Sequence, residues 1–370
     1  MSQIPKPPLI IFITSVFDDP KTGPATFARL LHKFFKQDGI NFKIITSDCK
    51  NPDQNIITVK KTYIKSFVYY RLWKKAKNVI KQYPENHIII HFNNAFPYLY
   101  FGKIGDTTIT QVNDYYTASS DLYRINQINL KGYIRHFLRN FTESHSLNKA
   151  DKIIFNSNFT KNFLVQKYQL NQEKCIVIYK SIDPSGFNVR STHQKSGTIL
   201  FVGNNYYLKG LDLLLEAASQ LKEVTTIFVA GPSKLDKKLN IRISKLPKKI
   251  QIIILGSLQQ NALFDEMRKC DILVIPARAE ALGVSVMEAL AQGIPVITSG
   301  EGGLKEVLEG YPSICSDQNN LDPSYLAKNI NLVLNEYFQY EQIFLTKRVG
   351  VLNKFTVLNM ISKLYLTYGI

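Results

Sequence analysis

Ala277-Arg278-Ala279-Glu280-Ala281-Leu282-Gly283-Val284-Ser285-Val286-Met287-Glu288-Ala289-Leu290-Ala291-Gln292-Gly293-Ile294-Pro295-Val296-Ile297 decides how this chain is read. An apolar run from Ile272 to Ile275 precedes it and stops at Pro276. A short loop follows, then a helical stretch that closes at Gly293, just before Pro295 and a further apolar run. The order is strand, loop, helix, strand. In open α/β sheets the ligand sits in the crevice at the carboxyl ends of the strands, so the loop carrying Glu280 and Gly283 belongs in that crevice. At helical spacing Val284, Val286, Met287, Leu290 and Ala291 share one arc, and Glu288 lies at its border. A carboxylate there needs donors, and the diol of a ribose or a hexose offers two.

Outward from this stretch the same alternation repeats. Ile199 to Val202 reads as a strand, Gly203 to Lys209 as a loop and Gly210 to Gln220 as a helix, while Thr225 to Ala230 and Ile250 to Leu255 are further strands. Such a series implies a parallel sheet with right-handed crossovers. The tail from about Pro323 reads as helical, with Asp322 as N-cap and Pro323 at the first helical position. In the first half, Pro8 to Phe17, Phe42 to Thr46, Asn55 to Val59, His87 to Phe92, Thr107 to Val112, Lys152 to Phe155 and Cys175 to Tyr179 read as strands, and Ala25 to Gln37, Lys60 to Tyr83, Leu130 to Asn148 and Phe159 to Tyr168 as helices. Asp183-Pro184-Ser185-Gly186 leads into the polar segment Arg190 to Gly197, which reads as the linker between two such domains facing each other.

A length of 370 residues and a hydrophobic fraction of 45% fit two globular domains, each with its own core. No apolar stretch approaches the roughly 18 residues of a spanning helix, and the opening Met-Ser-Gln-Ile-Pro-Lys lacks the apolar core of a signal peptide, so a cytoplasmic protein is expected. Cys49, Cys175, Cys270 and Cys315 are scattered without metal-ligand spacing and read as buried free thiols. Charge is uneven. Residues 1–190 hold 27 Lys and Arg against 13 Asp and Glu, and the remainder hold 19 against 16. The first half therefore invites an anionic partner (a membrane surface, an acidic acceptor or nucleic acid) or simply has a basic solvated surface.

The stretch Lys60 to Tyr83 concentrates that charge, with Phe67, Val68, Leu72, Trp73, Ala76, Val79 and Ile80 among seven lysines and Arg71. Two readings fit it equally: a helix lying on an anionic bilayer, or a peripheral helix that packs its apolar arc on the sheet and turns its lysines to water. Residues just beyond strands are candidates for polar contacts. Asn113 and Asp114 follow one strand, and Gly23 stands in a loop before a helix start, where backbone N–H groups are free to meet an acceptor. Plain turn chemistry also accounts for Asn113-Asp114 and for Asp18-Asp19, and a core role suits His91.

Gly203-Asn204-Asn205-Tyr206-Tyr207-Leu208-Lys209-Gly210 joins a strand to a helix start, and its N–H groups with the Lys209 ammonium suit a diphosphate. It matches neither the triphosphatase loop nor the dinucleotide fingerprint. Glu280-x7-Glu288 after a strand, this Gly-x6-Gly loop with lysine before its last glycine, and Gly302-Gly303-Leu304-Lys305-Glu306 together resemble the family 4 retaining glycosyltransferases of the GT-B fold. The likeness is most specific over about Gly197 to Gly310. In the first half Asn156-Ser157-Asn158 and Lys180-Ser181-Ile182-Asp183 fall where that family has its interdomain motifs.

The resemblance implies two Rossmann-like domains across a cleft. Residues 1–190 would be the acceptor-binding domain, joined by a return helix at about 350–370, and residues 191–349 the nucleotide-sugar domain. By the same resemblance Gly203, Asn204, Lys209, Glu280, Ala281, Leu282, Gly283, Val284 and Glu288 bind the donor. Lys209 and Glu280 would be catalytic, Glu288 would hold the ribose, and Gly23, Asn113 and Asp114 would lie on the acceptor side. A hexose would pass from a nucleotide diphosphate to the hydroxyl of a glycan or lipid-linked glycan, with retention and with neither metal nor cofactor. Other readings are a degenerate nucleotide-sugar-binding protein, suggested by Asn204 where the family usually has Arg and by Asn113 where it often has His, and a sugar-nucleotide epimerase. Leu282 also stands where the family usually has an aromatic residue. A nucleic-acid-binding protein has only charge in its favour.

Overall fold

A computed structural model describes residues 6–19, 23–62, 65–94, 102–114, 130–182 and 194–370, with side chains throughout except at 65–66 and 130–136. Of the expected linker, Arg190 to Gly197, residues 190–193 lie outside the described residues, as does the Asp183-Pro184-Ser185-Gly186 segment that leads into it. Two compact units emerge, one comprising Met1–Ile178 with Ile361–Ile370 and the other Tyr179–Met360.

The first unit is built on a sheet of seven parallel strands: β1 (Leu9–Thr14), β2 (Phe42–Thr46), β3 (Ile56–Thr58), β4 (Ile88–Phe92), β5 (Thr107–Val112), β6 (Lys152–Phe155) and β7 (Cys175–Val177), in the order β3-β2-β1-β4-β5-β6-β7. β1 reads Leu-Ile-Ile-Phe-Ile-Thr and is buried at every position, the continuous apolar run expected of a strand covered on both faces. The helices are α1 (Gly23–Gln37), α2 (Lys65–Ile80), α3 (Leu130–Lys149) and α4 (Asn158–Tyr168), the last capped by the Ser157 hydroxyl accepting from the Thr160 N–H. Pro24 sits in the first turn of α1.

α2 is shorter than the 60–83 span read from the sequence. Val68, Leu72, Ala76 and Val79 are buried in one cluster with Leu9, Ile11, Ile13, Ile45, Ile88 and Ile90, so its apolar arc packs on the sheet. The outer face is still unusual: Phe67 and Tyr70 are 57% and 41% exposed beside exposed Arg71, Lys74, Lys75, Lys77 and Lys81.

Residues 361–370 complete this first unit. Tyr368 shares a 2.6 Å hydrogen bond with Nδ1 of His91, the Lys152 ammonium donates to the Thr367 carbonyl, and the Tyr365 hydroxyl donates to Asp38 at 2.7 Å. Phe35 packs between the rings of Tyr365 and Tyr368. His91 is a core residue with no exposure, and burial drives its pKa down to about 3, so the ring stays neutral. Its Nε2 is buried without a hydrogen-bond partner.

The second unit carries five parallel strands, β8 (Thr198–Val202), β9 (Thr226–Ala230), β10 (Gln251–Gly256), β11 (Ile272–Ile275) and β12 (Val296–Thr298), in the order β10-β9-β8-β11-β12. Its helices are α5 (Tyr206–Lys209), α6 (Leu211–Ala218), α7 (Lys237–Ser244), α8 (Gln260–Lys269), α9 (Val284–Ala291), α10 (Leu304–Val307), α11 (Pro323–Asn335) and α12 (Tyr337–Lys354), and α13 (Val357–Tyr368) runs on into the first unit. Asp322 caps α11 by accepting from the Tyr325 N–H, with Pro323 at the first helical position.

One expectation needs correction: residues 203–209 are not all loop, whereas the helix read over 210–220 is found as α6 at 211–218. Asn205 caps a single turn, α5, by accepting from the Leu208 N–H. Gly210 then turns the chain at φ 81° before α6 starts. A Cβ at Gly210 would lie 2.1 Å from the Pro276 carbonyl oxygen, so only glycine lets the two segments touch.

Cys175, Cys270 and Cys315 are buried and Cys49 is half-buried, and all four are free thiols. Among the described residues no helix is long and apolar enough to cross a membrane.

Candidate active site

β8 and β11 are neighbours in the sheet but not in the chain, because the chain leaves β8 toward β9 on one side and returns to pair β11 on the other. This is a topological switch point, where loops diverge at the carboxyl ends and leave room for a ligand. The loop after β8 brings Lys209, and the loop after β11 brings Glu280.

The two side chains meet. The Lys209 ammonium donates to Oε2 of Glu280 in an ion pair whose members are 21% and 19% exposed. The other carboxylate oxygen, Oε1, accepts from the Ala281 N–H at 3.1 Å. Gly203 makes room for this arrangement: a Cβ there would fall 2.8 Å from Cγ of Lys209. Asn204 is exposed at the turn. The pair is accessible and oriented, with a cation suited to phosphate and an acceptor suited to hydroxyls.

Past Glu280 the chain reaches Gly283, whose φ of 93° directs it into α9. As at any helix start, the first N–H groups have no carbonyl of their own helix to bond and form a positive end. Val284 is half-buried there, whereas the Leu282 side chain is 1% exposed and belongs to the hydrophobic core. Leu282 therefore offers the site its backbone alone.

Glu288 lies inside α9 and is 6% exposed, buried rather than at the border of the apolar arc. Its Oε1 accepts from Nε2 of Gln260 at 3.0 Å, and burial pushes its pKa up to about 7 against the opposing effect of that bond. A carboxyl poised near neutrality, with one oxygen held by an amide, is ready to accept hydrogen bonds from a diol once ionised.

Sequence reasoning missed three residues of this site. Gln260 stands at the start of α8, after the third loop of the sheet, and nothing in its local sequence points to Glu288. Arg278 and Asp212 form a two-pronged ion pair, with Nη1 2.7 Å from Oδ1 and Nη2 2.8 Å from Oδ2. The only signal was Arg278 itself, a charged residue between a buried strand and Glu280.

The first-unit candidates sit apart from this site in the chain. Gly23 begins α1. Asn113 joins a carboxamide network at the ends of β1, β4, β5 and β6. Its amide donates to the Asn93 carbonyl at 2.5 Å, Asn156 donates to the Asn113 carbonyl at 2.9 Å, and Asn93 donates to the Thr14 hydroxyl at 3.2 Å. Asp114 is exposed and faces Glu143, whose pKa is pushed up to about 7 chiefly by burial, with the Asp114 charge adding to it. Among the described residues no three His, Cys, Asp or Glu side chains gather as metal ligands would.

Two family models match the chain: "Glycosyltransferase Family 4" over residues 22–185 and "Glycosyl transferases group 1" over residues 187–344. An uncharacterized glycosyltransferase of Methanocaldococcus jannaschii is 29% identical over 305 residues, covering 80% of each protein. Among solved structures, sucrose-phosphate synthase from Thermosynechococcus elongatus superposes with a TM-score of 0.79 at 18% identity, over 98% of each chain. The Anabaena protein HepE, in complex with UDP and glucose, gives 0.73 at 16% over 97% of this chain and 99% of its own. Those two likenesses speak for the fold, while the two family matches together span residues 22 to 344 with one residue between them. The chain belongs to glycosyltransferase family 4 and is a glycosyltransferase of the GT-B fold.

Proposed function

We propose that this glycosyltransferase moves a hexose from a nucleotide-diphosphate sugar to a hydroxyl of a glycan or lipid-linked glycan, with retention at the anomeric carbon. The observation that carries the reading is the meeting of Lys209 and Glu280 at the switch point between β8 and β11, with Glu288 in the second turn of α9. HepE, a neighbour in fold, is described with UDP and glucose and with UDP-glucose, which supports a donor of that class.

In this proposal Glu288 takes the ribose diol, and Glu280 takes hydroxyls of the transferred sugar. Lys209, the N–H groups of 281–284 and the start of α9 take the diphosphate. Gly203 and Asn204 would offer their backbone to the same phosphates. The bond from the anomeric carbon to the phosphate oxygen breaks as the acceptor oxygen bonds to that carbon on the same face. The acceptor's proton passes to the departing phosphate oxygen, so no side-chain base is required. Lys209 stabilises the charge that develops on the leaving group, the role a divalent ion plays elsewhere, and the reading needs neither metal nor cofactor. Gly23, Asn113 and Asp114 remain the candidates for the acceptor.

The first test is a thermal-shift panel of UDP, ADP, GDP and TDP. A ligand at 100 times its Kd stabilises the folded state by about 2.7 kcal/mol, so one base is expected to raise Tm clearly over the others. A panel in which no nucleoside diphosphate moves Tm would sink the donor reading. Release of nucleoside diphosphate from the matching nucleotide sugar, lost in Glu280→Ala, separates an enzyme from a binding protein. Turnover of that donor with the sugar still attached would indicate an epimerase.

The outer face of α2 supports a further element of the proposal, attachment to an anionic membrane from the cytoplasmic side. Exposed Phe67 and Tyr70 lie among Arg71, Lys74, Lys75, Lys77 and Lys81, and the helix contains no acidic residue. Each lysine near an anionic bilayer is worth about 1 kcal/mol. Replacing Lys74, Lys75 and Lys77 by glutamine should therefore weaken binding to phosphatidylglycerol vesicles by roughly 100-fold. Unchanged association would remove the membrane from the proposal.

A further inference from the structure

We propose that Arg278 is a positioning residue for the transfer reaction, fixing the loop after β8 to the loop after β11 so that the Lys209 ammonium and the Glu280 carboxylate face the donor as one unit. The inference rests on the donor-site reading above and goes beyond it by naming what sets the register between the two charges.

The contacts are specific. The Arg278 N–H donates to the Leu208 carbonyl at 2.8 Å. Nη1 donates to the Tyr207 carbonyl at 2.5 Å and to Oδ1 of Asp212 at 2.7 Å, and Nη2 donates to Oδ2 of Asp212 at 2.8 Å. The bonded groups lie on both sides of Lys209. Residues 207 and 208 belong to the single turn α5, and Asp212 to the first turn of α6, with the left-handed Gly210 between them.

A glycine between two short helices is where a chain swivels, and Arg278 grips the chain before and after it. Its own backbone is two residues from Glu280. One residue therefore sets the spacing between the segment that carries the cation and the segment that carries the carboxylate. Gly210 pressed against the Pro276 carbonyl closes the same bracket from beneath.

This fork is sheltered, with its side chains 16% and 10% exposed, so it is not a loose surface ion pair. Its planar fork meets both carboxylate oxygens through two parallel N–H bonds in a fixed geometry, which a lysine ammonium does not reproduce. A shielded ion pair is weak support for stability, since apolar replacements serve as well or better, and what it adds here is alignment. Alignment matters at this place because displacing a reacting group by about 1 Å costs on the order of 100-fold.

The test measures coupling and needs no known acceptor. The tightest binder among UDP, ADP, GDP and TDP is titrated against the wild type, Arg278→Lys, Lys209→Ala and the double variant. A charge-assisted hydrogen bond to phosphate corresponds to roughly 10- to 100-fold in Kd, so Lys209→Ala should weaken binding at least about 10-fold in the wild-type background. In the Arg278→Lys background, where Lys209 is already out of register, the same replacement should cost less than about twofold. Asp212→Asn breaks the fork from the other side and should reduce the effect of Lys209→Ala in the same direction. It also serves as the test should Arg278→Lys fail to fold.

Equal losses from Lys209→Ala in all backgrounds would overturn the positioning role, because a merely structural arginine lowers Tm without changing that coupling. A wild-type protein that bound none of the four diphosphates would overturn the donor-site reading instead, and this inference with it.

Discussion

Lys209→Ala is expected to reduce donor turnover by roughly 100-fold or more while the second unit stays folded. The scale is that of removing one preorganised donor from a site where charge develops on an oxygen. Lys209 lies over Gly203 at the mouth of a loop, outside the packed core, so its loss leaves no cavity. Its loss does leave Glu280 without that cation, while Oε1 still accepts from the Ala281 N–H. The stability change should therefore be modest, since both side chains still reach water. Lys209→Ala and Glu280→Ala should be far from additive, because either change dissolves the same pair. Turnover in Lys209→Ala within threefold of wild type, measured as nucleoside diphosphate released from the matching nucleotide sugar, would refute its place in the chemistry.

Glu288→Gln should move stability and binding in opposite directions. The pKa of Glu288 is about 7 in the folded protein against an ordinary 4.5. Between those values the native state keeps a proton that the unfolded state has released, so stability falls as pH rises through that window. The loss is complete above about pH 8 and is of the order of 3 kcal/mol. Glutamine cannot ionise, yet it presents the same acceptor to Gln260. The variant should match wild type at pH 4 and exceed it in Tm by about 5 °C or more at pH 8. Glu143, also raised to about 7, is present in both proteins and cancels.

Binding should run the other way. An ionised carboxylate accepts from both ribose hydroxyls, whereas an amide offers one oxygen and sets N–H against O–H, so the diphosphate that binds best should weaken about 10- to 100-fold. A variant equally destabilised at both pH values, or one with wild-type affinity, would refute this assignment. A residue that costs stability where it improves binding is the expected mark of a functional group.

How much of this was visible beforehand follows from range. Strands such as Leu9–Thr14 and Ile272–Ile275 are written locally, as unbroken apolar runs between turn residues, and their parallel pairing follows from the alternation with helices. Asp322-Pro323 announces the start of α11 in two letters. Lys209 and Glu280 could be singled out because each stands at a strand's end, but that they touch is a property of the sheet order, which places β8 beside β11.

Gln260, Arg278 and Asp212 show the limit. Each makes its defining bond to a residue 28 or 66 positions away, and a lone polar residue near a helix start has too many ordinary explanations to be singled out. The single turn α5 before Gly210 was missed although Asn205 caps it locally, and what demands glycine after it is the Pro276 carbonyl, far off in sequence. The burial of Glu288 was underread as well. Its helix is covered on more sides than the apolar arc alone suggests, with Gln292 and Met267 in contact just below it.

The return of residues 361–370 to the first unit has a consequence for the order in which the protein is made. A ribosome delivers β1 to β7 first, yet His91, Lys152 and Asp38 receive Tyr368, the Thr367 carbonyl and Tyr365 only after the whole of the second unit has been synthesised. The half that begins first is thus the half that finishes last. During synthesis its sheet waits with the sites for Tyr365 and Tyr368 beside Phe35 unfilled, and its neutral histidine lacks the hydroxyl that closes over it.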